Sequence, residues 1–138
     1  MLNHPQAVMV RQKWLLPGLL LLVGAALFPY GLIGEMLPWA NGLFDRFSSL
    51  TAHVVGHAGL FMLLGTAVLI TFPRLRTYPR LYLGAMLLLG GLQEVLQLVG
   101  FKHRSLMFDD FFDVGVDVLA ALLVWLIFKQ WRSVHERI

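Results

Sequence analysis

Apolar residues in this chain run in blocks and do not alternate with polar ones. Four blocks, at about residues 14–34, 52–72, 79–100 and 111–128, approach or exceed the ~20 residues a helix needs to cross a bilayer. Backbone polar groups in lipid must be satisfied within the segment, so the blocks predict helices and not strands. The predicted fold is therefore all-α: one domain over residues 1–138, an integral membrane bundle of four transmembrane helices. Between the blocks stands loop punctuation: Pro38, Asn41 and Gly42 in the first connection, Pro73 and Pro79 around the second, and a short charged third from Phe101 to Asp110. Pro17 and Pro29 lie inside the first block and should bend it or set its limits. A cleavable signal peptide is the competing reading of this block. The apolar run continues through Leu27 to Ile33 without a small-x-small cleavage site, so an uncleaved span is expected.

Composition sharpens this picture. Of 138 residues, 58% are hydrophobic and only 14% charged, and the mean hydropathy is +0.72. A soluble domain carries about 25% charged residues, and disorder needs the opposite balance. There are no cysteines, which excludes disulfides, thiolate metal sites and cysteine nucleophiles.

The net charge of +3 reads as a topology signal and not as nucleic-acid binding. Arg11, Lys13, Arg74, Arg76, Arg80, Lys129, Arg132 and Arg137 fall on one side of the spans, and Arg46, Lys102 and Arg104 on the other. Both termini and the middle connection should be cytoplasmic, with Trp14 and Trp131 at the inner interface and Trp39 at the outer.

The acids are distributed the opposite way. Only Glu136 is on the inner side, whereas Glu94, Asp113 and Asp117 enter the outer ends of spans three and four, and His53 and His57 enter span two. Counting inward, His57, Glu94 and Asp117 lie about six residues, or ~9 Å, below the outer helix ends. His53, Gln97 and Asp113 form a shallower layer. The spacings His53/His57, Glu94/Gln97 and Asp110/Asp113/Asp117 are i,i+3 or i,i+4, so each set occupies one helix face. Ionisable groups in hydrocarbon cost about 2.5–3.5 kcal/mol each at the bilayer centre. They should turn inward and line a pocket open to the outer side. Arg104 is the expected cationic partner of Asp113 or Asp110. Small residues Ala52, Gly56, Gly59, Gly90, Gly91 and Ala120 allow close helix approach.

These residues resemble the VanZ-like family of membrane proteins. His57, Phe61, Leu64 and Gly65 match its histidine–aromatic–Leu-Gly segment. Glu94, Gln97, Arg104, Asp113 and Asp117 match its second half, an E-x-x-Q, a short loop with Arg, and two polar residues four apart. The likeness covers about residues 53–121. Val54 stands where the family often has Lys, Asp117 where Asn is usual, and Ala120 where Gly is usual. The resemblance implies a multi-pass protein of the bacterial plasma membrane, associated with the cell envelope and with glycopeptide antibiotic resistance.

The candidate binding residues are thus His53, His57, Glu94, Gln97, Arg104, Asp113 and Asp117. In that pocket Glu94 and Asp117 would accept from His57, Arg104 would cover Asp113, and Gln97 would bridge. The two histidines one turn apart share the spacing of the zincin H-E-x-x-H motif, but Val54 replaces its glutamate, and no metal or other cofactor is expected. Ser48, Ser49, Thr51 and Ser105 sit in no nucleophile elbow, and a non-enzymatic binding or protective role is expected. The expected partners are membrane lipids and an envelope precursor or glycopeptide, not nucleic acid. The alternatives are an accessory or assembly subunit of a larger membrane complex, with other membrane subunits as partners, and an outer-facing lipid-modifying enzyme.

Overall fold

The computed structural model describes residues 4–28, 49–99 and 107–135, with side chains from 14–28, 49–99 and 107–131. These form four α-helices and one short 3₁₀ turn, and no strand occurs among the described residues. Helix α1 spans His4–Leu27, α2 Leu50–Thr71, α3 Pro79–Gln97 and α4 Phe108–His135; the 3₁₀ turn Pro73–Arg76 joins α2 to α3. Residues 29–48 and 100–106, which hold most of the first and third predicted connections and Arg104, lie outside the described residues, and the last four residues of the third, 107–110, lead into and open α4.

The helix ends follow local chemistry. Helix α1 passes through Pro17 and ends at Leu27; Phe28, which precedes Pro29 in the sequence, is disfavoured in the α region. Ser49 caps α2, its Oγ accepting from the Ala52 N–H at 3.2 Å. Pro73 and Pro79 each open a helical segment, where their missing N–H leaves no bond unmade. At the start of α4, Asp110 reaches back so that its Oδ2 accepts from the Met107 N–H at 2.8 Å, one half of a capping box.

Two helices, Leu50–Thr71 and Phe108–Trp131, are long and apolar enough to cross a membrane. The apolar part of α1 among the described residues, Trp14–Leu27, is shorter. Helix α3 has 19 residues, with Arg80 near one end and Gln93 and Glu94 near the other, which lowers its mean apolarity.

Side-chain contacts give the helix directions. His53 meets Asp113 and His57 meets Asp117, both pairs separated by 60 positions in the chain. A constant offset means that α2 and α4 run parallel. Helix α3 runs against both: its Gly90 lies beside Asp117 and Phe61, whereas its Tyr82 lies beside Gly65 and Ala121. Helix α4 packs against α2 and α3, and α1 packs chiefly on α2.

The shared interior is apolar in the middle, with Phe61, Leu64 and Leu69 of α2, Tyr82 and Met86 of α3, and Ala121 and Val124 of α4. Tyr82 donates its buried hydroxyl to the Ala121 carbonyl at 3.2 Å. Its Oη occupies the space a Cβ on Gly65 would take. One end of the bundle is basic and aromatic. There Arg76 donates from Nε to the Leu69 carbonyl at 3.0 Å and stacks over Phe128 at 4.8 Å. Trp125 donates to the Arg76 carbonyl at 3.0 Å, and Lys129 lies 5.3 Å from the Trp125 ring.

Candidate functional site

The opposite end carries the acids and histidines. The i,i+4 spacing of His53 and His57 puts both rings on one face of α2, with centroids 4.7 Å apart. The same spacing puts Asp113 and Asp117 on one face of α4. Because the helices are parallel, the two faces form two rungs. His53 Nε2 and Asp113 Oδ2 are 2.9 Å apart, and His57 Nδ1 and Asp117 Oδ1 3.0 Å apart. Of the two acceptors expected for His57, Asp117 takes its Nδ1.

The rungs differ in environment. The His57 and Asp117 side chains are 8% and 0% exposed, so the inner rung is dry. The His53 side chain is 44% exposed above a buried Asp113, so the outer rung opens to the surroundings. Asp117 Oδ2 has no hydrogen-bond partner among the described residues. It sits 3.0 Å from the position a Cβ on Gly90 would occupy, and Phe61 Cζ lies 3.6 Å from the same point. The bare backbone at Gly90 is therefore what lets α3 close over the rung.

Helix α3 supplies the third wall. Glu94 is buried and lies one turn beyond Gly90, on the same face. Gly90, not Glu94, is level with Asp117. The sequence-based depth counted the third span to residue 100, whereas the α-helix ends at Gln97 and passes into a π-type turn at 98–99. Glu94 stands one turn nearer the open end than Gly90. Gln97 is half-buried in the last turn of α3. Arg104 lies outside the described residues, and so does its expected contact with Asp113.

Two buried polar residues were not foreseen in these roles. Gln93 is 3% exposed, and its Oε1 has no hydrogen-bond partner among the described residues. Its i,i+4 relation to Gln97 was the available signal. Asp110 is 1% exposed through its capping role. Phe108, Phe111 and Phe112 stand exposed around the first turn of α4.

Acidic charge is thus concentrated at this end among the described residues. Glu94, Asp110, Asp113 and Asp117 are all buried at this end. The Lys and Arg side chains among the described residues, Arg74, Arg76, Arg80 and Lys129, belong to the other end. The cluster can therefore accept protons or hold a cation. No protein-family model, curated protein or solved structure matches this chain, so the resemblance to the VanZ-like family rests on the motif residues themselves.

Proposed function

We infer that this chain is a four-span protein of the bacterial plasma membrane, with cytoplasmic termini and a polar site facing the cell envelope. The site holds a cationic or zwitterionic group from an envelope lipid, a peptidoglycan precursor or a glycopeptide, and its role is binding or protection and not catalysis. The observation that carries this reading is the inverted distribution of polarity. Leu20, Leu21, Leu63, Leu88 and Leu119 are 63–76% exposed, while Asp117 is 0% and Glu94 3% exposed. Water would reverse that arrangement, whereas lipid favours it. The alternating directions of α2, α3 and α4 suit successive crossings, and the basic end suits the cytoplasmic side. Of the VanZ-like motif residues, His57, Glu94, Asp113 and Asp117 are buried at the acidic end.

The test is expression of the full chain in a glycopeptide-susceptible bacterium beside His53→Ala and Asp113→Asn, at matched membrane levels. The wild type should raise glycopeptide tolerance and the variants should lose the effect. Equal tolerance in all three removes the envelope role.

A second reading, an accessory subunit of a membrane complex, is favoured by one feature. Pro17, Leu20, Leu21, Gly24, Ala25 and Phe28 line an apolar groove on α1, and the small residues suit a neighbouring helix. Co-purification with larger membrane subunits that is lost on Gly24→Leu supports it, and purification of the chain alone from native membranes removes it.

A further inference from the structure

We propose that His53, His57 and Asp113 form a binding site for a divalent transition metal of the zinc class, with Asp117 positioning His57 from behind. The ligand atoms of these three residues all lie within 4.8 Å of one another. A tetrahedral centre with bonds of about 2.0–2.1 Å sets its ligand atoms about 3.3 Å apart. His53, the ligand with room to turn, supplies the closing movement.

Three independent features make this more than a cluster. First, the histidines are one helical turn apart, the spacing by which a single helix presents two imidazoles to one ion. Val54 removes the general base of the zincin motif but neither of its helical ligands.

Second, His57 is already oriented as a ligand. Its Nδ1 is engaged by Asp117 Oδ1 at 3.0 Å, which leaves Nε2 as the coordinating atom. A histidine held from behind by a carboxylate is the usual support for a metal ligand, because it settles the tautomer and raises the basicity of the other nitrogen. On binding, the hydrogen between His53 Nε2 and Asp113 Oδ2 leaves, to His53 Nδ1 or to water, and the ion takes its place.

Third, the electrostatics suit added positive charge. Asp113 and Asp117 are buried carboxylates whose side-chain partners among the described residues are the imidazoles of His53 and His57, and a dication offsets what a lone imidazolium does not. Imidazole and carboxylate donors together suit Zn²⁺ more than Mg²⁺ or Ca²⁺, which take oxygen ligands. The exposed side of His53 leaves a fourth position open to water or to a donor atom from an envelope molecule.

This inference concerns the site of the preceding section but rests on ligand geometry and not on the envelope role. The test uses the full chain purified in mild detergent and Zn²⁺ or Co²⁺ alone as the probe. One Zn²⁺ per chain is expected, with Co²⁺ giving the intense visible bands of a four-coordinate site. Asp117→Asn, which keeps all three ligands, should weaken binding by about 10–100-fold, and His53→Ala should weaken it further. His53 is chosen because it is half-exposed and its removal leaves the inner rung intact. Zn²⁺ uptake that is absent in the wild type, or unchanged in His53→Ala, overturns the site. Absent uptake alongside a glycopeptide phenotype that still depends on the cluster overturns the metal and leaves the envelope role. Uptake without any phenotype does the reverse.

Discussion

Replacing His57 by leucine isolates the energetics of the inner rung. The substitution leaves the Asp117 carboxylate fully buried without the His57 partner of Oδ1, and Oδ2 has no partner among the described residues. Breaking a buried ionic pair from one side costs about 3–5 kcal/mol, because the survivor is uncompensated. The lower end, about 3 kcal/mol, is expected here, since a stranded carboxylate can take up a proton instead of remaining charged. Asp117→Leu strands a neutral imidazole and should cost about 1–3 kcal/mol. The double variant, with leucine at both positions, removes both polar groups together and should be no less stable than His57→Leu alone. The implied coupling is at least ~1 kcal/mol, above the ~0.6 kcal/mol average for hydrogen bonds between membrane helices, because it includes the stranded charge. The assay is unfolding of the four proteins by sodium dodecyl sulfate in mixed micelles, followed by far-ultraviolet circular dichroism. A matching cycle on His53 and Asp113 should give less than about 1 kcal/mol, since the His53 side chain is 44% exposed. Additivity of the His57 and Asp117 changes within about 0.5 kcal/mol refutes the reasoning.

Three further outcomes are expected. Gly90→Ala should destabilise by about 1–3 kcal/mol, because its Cβ would stand 3.0 Å from Asp117 Oδ2 and 3.6 Å from Phe61 Cζ. Gly91→Ala, with nothing within 4 Å, should instead stabilise the helix by up to about 1 kcal/mol; the same detergent titration reads both, and equal effects would remove the proposed close approach. Trp125→Phe keeps the ring but loses the hydrogen bond to the Arg76 carbonyl, and should cost about 1 kcal/mol with the Zn²⁺ affinity unchanged, since it lies at the other end of the bundle.

Much of this molecule is legible from residue spacing. Long apolar runs dictate helices wherever backbone groups must bond internally, and Pro73 and Pro79 mark where two of the helical segments begin. The i,i+4 spacing of His53 with His57 and of Asp113 with Asp117 already puts each pair on one helix face, because 3.6 residues per turn is a property of the backbone and not of the neighbours. The expense of a charge in hydrocarbon also says that these faces turn inward. What periodicity cannot supply is the register and rotation of one helix against another, since those depend on where small side chains permit close contact. Gly90 decides that Asp117 seats against α3, and Gly65 that the Tyr82 hydroxyl reaches Ala121. The parallel alignment of α2 with α4 decides that His57 meets Asp117 while His53 meets Asp113. The register of α3 sets Gly90, and not Glu94, level with Asp117, and the burial of Gln93 appears only once α3 is packed. Local spacing thus determined which side chains share a face, and tertiary packing alone decided which of them touch.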